Sequence, residues 1–229
     1  MRIRYLQLDA WWYKQKGSMP PDGPWFPGCI QEWVGNSTLF PSGKGAAPLW
    51  GGGGRGGLPL HLYHSYFCPR PDNNYPTYDW VRSDPAPKNH SFAHVDSSQA
   101  LRFYSALLAK AKARDGMIGW EVDFLVDQYH RFGGFRRDVS TADEYFGSMA
   151  AAAAEQKVGL QHCMSIPRFA LASLDYPYVT NARASDDYAT ASPLEYNAGK
   201  ALCLRCTCVV LQLRCTLRLR LIRHWTHFL

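Results

Sequence analysis

Three short apolar segments of this chain run directly into an aspartate. The first is Tyr5-Leu-Gln-Leu-Asp9, which continues into Ala10-Trp11-Trp12-Tyr13. The second is Ile118-Gly-Trp-Glu-Val-Asp123, which continues into Phe124-Leu-Val126. The third is Tyr178-Val-Thr-Asn-Ala182, which leads through Arg183-Ala-Ser185 to Asp186-Asp187-Tyr188. Short apolar runs bounded by turn residues read as buried strands. An acid at the end of each suits parallel α/β barrels, which display their chemistry at the C-terminal ends of the strands.

The text between these segments alternates strand-like and helix-like patterns. Residues 14–57 read as a long Gly- and Pro-rich irregular excursion. Residues 58–67 read as a second strand and residues 68–96 as another loop. Ser97 or Ser98 is expected to cap a helix running to about Arg114, with Leu101, Tyr104, Leu107, Leu108 and Ala111 on its apolar face. Asp115-Gly116 ends it. Thr141 and Glu144 have capping-box spacing, and the helix they open ends near Lys157. Residues 160–166 form a further strand, a helical turn is expected around 168–174, and 178–182 are a strand again. Strands alternating with helices imply parallel pairing with right-handed crossovers. The expected fold is therefore α/β: an incomplete (β/α)8 barrel of about six units over residues 1–200, one of them poorly defined within 68–96. At 229 residues the chain is short for a complete barrel.

Residues 201–229 break from this pattern. They hold five arginines, four of the seven cysteines, many leucines, and no Gly, Pro, Asp or Glu. The segment reads as foreign to the domain, in the manner of a frameshifted or unspliced stretch. Cys203-x-x-Cys206-x-Cys208 has no second well-spaced pair with which to close a zinc site. The net charge of +6 rests largely on this tail. The rest of the chain is close to neutral, with no electrostatic case for nucleic acid. Cys29, Cys68 and Cys163 are scattered and form no disulfide framework of the mini-protein kind. No signal peptide opens the sequence and no segment has 18 uninterrupted apolar residues, so no membrane span is expected and the compartment defaults to cytoplasmic.

Other motifs lack their context. Gly51-x-Gly53-x-x-Gly56 precedes Leu58-Pro59 rather than a helix, so the phosphate cradle fails. His61-x-x-His64 and His90-x3-His94 have metal-like spacing without a carboxylate on the same element, and read as pocket or surface histidines. No metal or cofactor is expected. Ser65 lies outside a nucleophile elbow.

The aspartate segments together resemble the α-galactosidase and raffinose-synthase clan of glycoside hydrolases. Leu6-Gln-Leu-Asp9-Ala-Trp11-Trp12 is similar to the motif after that clan's first strand. Glu121-Val-Asp123 takes the place of the nucleophile segment after its fourth strand, with Glu121 where the clan usually has lysine. Arg183-Ala-Ser185-Asp186-Asp187 resembles the acid/base segment after its sixth strand. The resemblance implies Asp123 as nucleophile and Asp186 or Asp187 as acid/base. It implies Asp9, Trp11 or Trp12, Glu121 and Arg183 as sugar-binding residues. His64, near the end of the second strand, is a further candidate for substrate contact. Glu121 and Asp127 could instead pair with Arg131 or Arg136 at the surface. The implied partner is an α-linked carbohydrate; the alternative is an inactive or carbohydrate-binding remnant. The oligomeric state is open.

Overall fold

The computed structural model describes residues 5–16, 28–41, 58–84 and 92–183. Asp186, Asp187 and the 201–229 tail lie outside the described residues. In chain order the elements are β1 (Leu6–Leu8), β2 (Tyr13–Lys16), β3 (Cys29–Gly35), β4 (Leu60–His64), β5 (Trp80–Arg82) and β6 (Ala93–Val95). There follow α1 (Ser97–Asp115), β7 (Met117–Val122), α2 (Leu125–Arg131), α3 (Gly133–Arg137) and α4 (Val139–Gln156). The last are β8 (Gly159–His162), α5 (Pro167–Ala172) and β9 (Val179–Ala182).

Five strands form one sheet in the order β1-β4-β7-β8-β9, every neighbouring pair parallel. Spatial order equals chain order, so the described sheet is wound in one direction. The strand expected within 68–96 does not join it. That segment supplies β5 and β6, which pair antiparallel with each other. Asp123 accordingly follows the third strand of the sheet and Arg183 the fifth, rather than the fourth and sixth. The stretch read as irregular after β1 contains a second antiparallel pair, β2 with β3. Cys29 at the start of β3 is disulfide-bonded to Cys68, just past β4.

Side chains alternate across a strand, and here the two faces differ sharply. Leu62, His64, Trp120, Val122 and Leu160 are buried, and the Tyr104 ring of α1 sits 5.9 Å from His64 and 5.3 Å from Trp120. This face meets α1 and α4, which pack against each other; the Tyr104 and Tyr145 hydroxyls meet at 2.5 Å. The opposite face carries Gln7, His61, Tyr63, Glu121, Asp123 and Cys163. Gln7 on β1 donates from its Nε2 to the Glu121 carboxylate on β7, reaching across β4 between them. The two side chains meet over β4 on this polar face. Close contact is built in at Gly119, where a Cβ would lie 2.0 Å from the His61 ring.

The helix boundaries have physical causes one residue or a few away from those expected. Asp96, not Ser97 or Ser98, caps α1, its carboxylate accepting from the Ser98 amide at 3.0 Å. Gly116 closes the helix at φ 68°. Asp138 caps α4 by accepting from the Ser140 amide at 3.0 Å, and Thr141 donates its hydroxyl to the same aspartate at 2.7 Å. Thr141 therefore supports the cap instead of being it. The short helices α2 and α3 fill the link between β7 and α4, where sequence periodicity gave no signal.

Candidate active site

Asp123 stands one residue past β7, and its amide extends the ladder by donating to the His64 carbonyl at 2.9 Å. Its side chain is 6% exposed. Burying a carboxylate is costly unless donors compensate, and donors converge here. Tyr63 on β4 gives its hydroxyl to Oδ2 at 2.8 Å. The Phe124 amide gives its hydrogen to Oδ1 at 2.7 Å. Phe124 itself is left-handed, at φ 57°. For a bulky residue that is a sparsely populated conformation, of a kind that collects at functional sites. The same happens one strand over: Met164, after Cys163, has φ 48°. The two turns are tied, since the Leu125 amide donates to the Cys163 carbonyl at 3.3 Å and the Val126 amide to that of Met164 at 3.0 Å.

Glu121, two residues before Asp123, shares the polar face and is 5% exposed. Reading it as a surface partner of arginine is therefore wrong. Arg131 is 3.6 Å from Asp127, and Arg136 is 2.5 Å from Asp84. Burial pushes the Glu121 carboxyl up to about 7, the nearby Asp123 and Asp9 charges add to the rise, and the Cys163 thiol and Arg183 charge oppose it. Burial also raises Asp123, against the donors Cys163, Phe124 and Tyr63 and the Arg183 charge. Burial, then the Asp123 charge, pushes Tyr63 far up, so its phenol stays a donor. Tyr13 lies stacked on Tyr63 at 6.4 Å and meets the Ser65 hydroxyl at 3.0 Å.

The remaining expected residues divide. Asp9 is exposed just past β1 and accepts from the Ala10 amide at 2.6 Å. Trp11 is 50% exposed and stacks on Phe40 at 6.4 Å, which leaves part of its surface open. Trp12 is fully buried, with its indole N–H on the Tyr63 carbonyl at 3.0 Å. It is a core residue and offers no surface for a sugar ring. His64 is also sealed, boxed by Trp33, Phe67, Tyr104 and Trp120, and burial lowers its pKa to about 3. It faces the helices, away from Asp123, so the expected substrate contact is corrected. Arg183 follows β9, and its amide donates to the His162 carbonyl at 2.7 Å.

Gln7, Tyr63 and Cys163 were missed by sequence reasoning. Cys163 had a readable signal: it follows a strand in the same way as Asp123, one strand over. Its thiol lies within 4.8 Å of donor atoms of both Glu121 and Asp123. Burial and the Asp123 charge push this thiol far up, so it is a hydrogen-bond donor to the two carboxyls. A separate cavity of about 330 Å³, lined by His94, Ser97, Phe132 and Arg137 among others, lies at the N-terminal ends of α1 and α4 and includes none of this group. No helix among the described residues is long and apolar enough to cross a membrane. No protein-family model matches the chain, and a search of curated proteins likewise finds no match.

Proposed function

We propose that this chain is a retaining glycoside hydrolase or transglycosylase acting on an α-linked, galactoside-like glycosyl unit, built as part of a (β/α)8 barrel of the α-galactosidase and raffinose-synthase clan. The observation that carries the reading is the Asp123 carboxylate: buried, held by Tyr63 and the Phe124 amide, and set at the C-terminal end of a parallel strand on the polar face of the sheet. Barrel membership is supported by the one-directional strand order. A doubly wound sheet would reverse its order.

In this mechanism an Asp123 oxygen attacks the anomeric carbon as the bond to the leaving oxygen breaks. That oxygen takes a proton from the acid/base, Asp186 or Asp187. The two carboxyls of such a pair lie about 5–5.5 Å apart. Water, or an acceptor hydroxyl, then displaces Asp123 while the acid/base recovers a proton. Glu121 is one step deeper on the strand than Asp123, so it meets hydroxyls of the bound sugar rather than the leaving group. Trp11 offers the stacking face, Asp9 accepts from hydroxyls at the rim, and Arg183 orients the acid/base segment.

Hydrolysis of a panel of aryl α-glycosides by the chain and by Asp123→Asn tests this. Turnover that falls by on the order of 10³-fold or more in the variant supports it, the scale of losing a nucleophile. Sugar binding without turnover in either protein would instead favour the carbohydrate-binding remnant.

A further inference from the structure

We propose that Cys163 is a positioning residue, whose thiol holds the Asp123 carboxylate in its attacking orientation. The inference rests on Asp123 being the nucleophile. The backbone sets the thiol in place: the Cys163 amide donates to the Val122 carbonyl at 2.9 Å, which continues the β7–β8 ladder to the level of Asp123. The side chain is 1% exposed and lies against both Asp123 and Glu121. A thiol has a single proton, and both neighbours are acceptors when ionised. The left-handed residues after Cys163 and Asp123, with the amide bonds joining their turns, lock the two strand ends together. A small donor at this point restrains the carboxylate from the β8 side, while Tyr63 restrains it from β4 and the Phe124 amide from below. Tyr13, Tyr63, Tyr66, Glu121 and Arg183 also act on Asp123, and Cys163→Ala leaves all five side chains in place while also removing a donor to Glu121, whose carboxyl is expected to rise with that of Asp123.

Removing a donor to the ionised form raises a carboxyl pKa. The test is a carbon NMR titration of carboxyl-labelled aspartate in the full chain, with the Asp123 signal assigned by its loss in Asp123→Asn. In Cys163→Ala the Asp123 midpoint is expected to rise by about one pH unit, and Cys163→Ser is expected to restore most of it. An unchanged midpoint in Cys163→Ala overturns the proposal, whether or not any glycoside is cleaved. A shifted midpoint in a protein that cleaves no glycoside would support the Cys163 contact and remove the glycosidase reading. In the active protein, Cys163→Ala lowers kcat, leaves KM in place and moves the acid limb of the pH profile upward. If Cys163→Ala does not fold, the S–H infrared band of the otherwise native chain is compared with that of Asp123→Asn. A band that fails to move contradicts the inference.

Discussion

Tyr63 serves the site with its side chain and the core with its backbone. Its hydroxyl reaches Asp123, while its carbonyl accepts the indole N–H groups of Trp12 and Trp33 at 3.0 and 2.9 Å. Tyr63→Phe is therefore expected to stay folded and to lose roughly 10- to 100-fold in kcat, the value of one hydrogen bond to a charged group. Unchanged kinetics would remove Tyr63 from the site. Glu121 gives a pH prediction. Its carboxyl is raised from 4.5 to about 7 by burial, so the folded state prefers the protonated form. Stability from this group is fully present below about pH 4.5 and is lost as pH rises to about 7, by about 3 kcal/mol in all. Urea unfolding of the chain and of Glu121→Gln should diverge by that amount across the window; parallel curves would contradict it. Asp123 was legible in the sequence because an acid inside an apolar strand needs a reason. Trp12 and His64 were misread because sequence places them beside a strand end without saying which face they take.

At the level of elements, α1, α4 and the parallel strands were readable from apolar period and from cap residues placed within a few positions of the true ones, whereas α2 and α3 were not. The antiparallel pairs were not. β2 is Tyr-Lys-Gln-Lys, and β5 and β6 have three residues each, too short and too polar for alternation to register. β3 is tied to the segment after β4 by the Ile30 amide on the Tyr66 carbonyl at 2.7 Å, by the Cys68 amide on the Ile30 carbonyl at 2.9 Å, and by the Cys29–Cys68 disulfide, which joins residues 39 apart in sequence. Closing a loop of that length stabilises the fold by about 3–4 kcal/mol through the unfolded state. Cys29→Ser with Cys68→Ser should lower the unfolding free energy by that amount, measured in urea against the oxidised parent. An identical midpoint would show the bond absent in solution. Disulfides persist in oxidising surroundings, which sits at odds with the cytoplasmic default taken from the sequence.

At the scale of the whole molecule, the described sheet is a parallel array with helices on one face and polar side chains on the other. Parallel sheets covered on both faces are apolar throughout, so the row formed by Gln7, His61, Glu121 and Asp123 needs a different explanation. The proposed sugar-binding role of this face supplies it. The strand order was legible because each strand is followed by its own helix or turn signal. The count was not, since the poorly defined unit expected within 68–96 supplies only a short antiparallel pair outside the main sheet. The central claim is that Asp123 attacks an anomeric carbon. The most direct measurement is mass spectrometry after incubation with activated 5-fluoro-α-glycosyl fluorides, galactose-configured first, whose glycosyl-enzyme adducts turn over slowly. The account predicts a mass increase of one glycosyl unit, mapped by peptide sequencing to Asp123. An adduct on any other residue, or none with any sugar of the series, would contradict it.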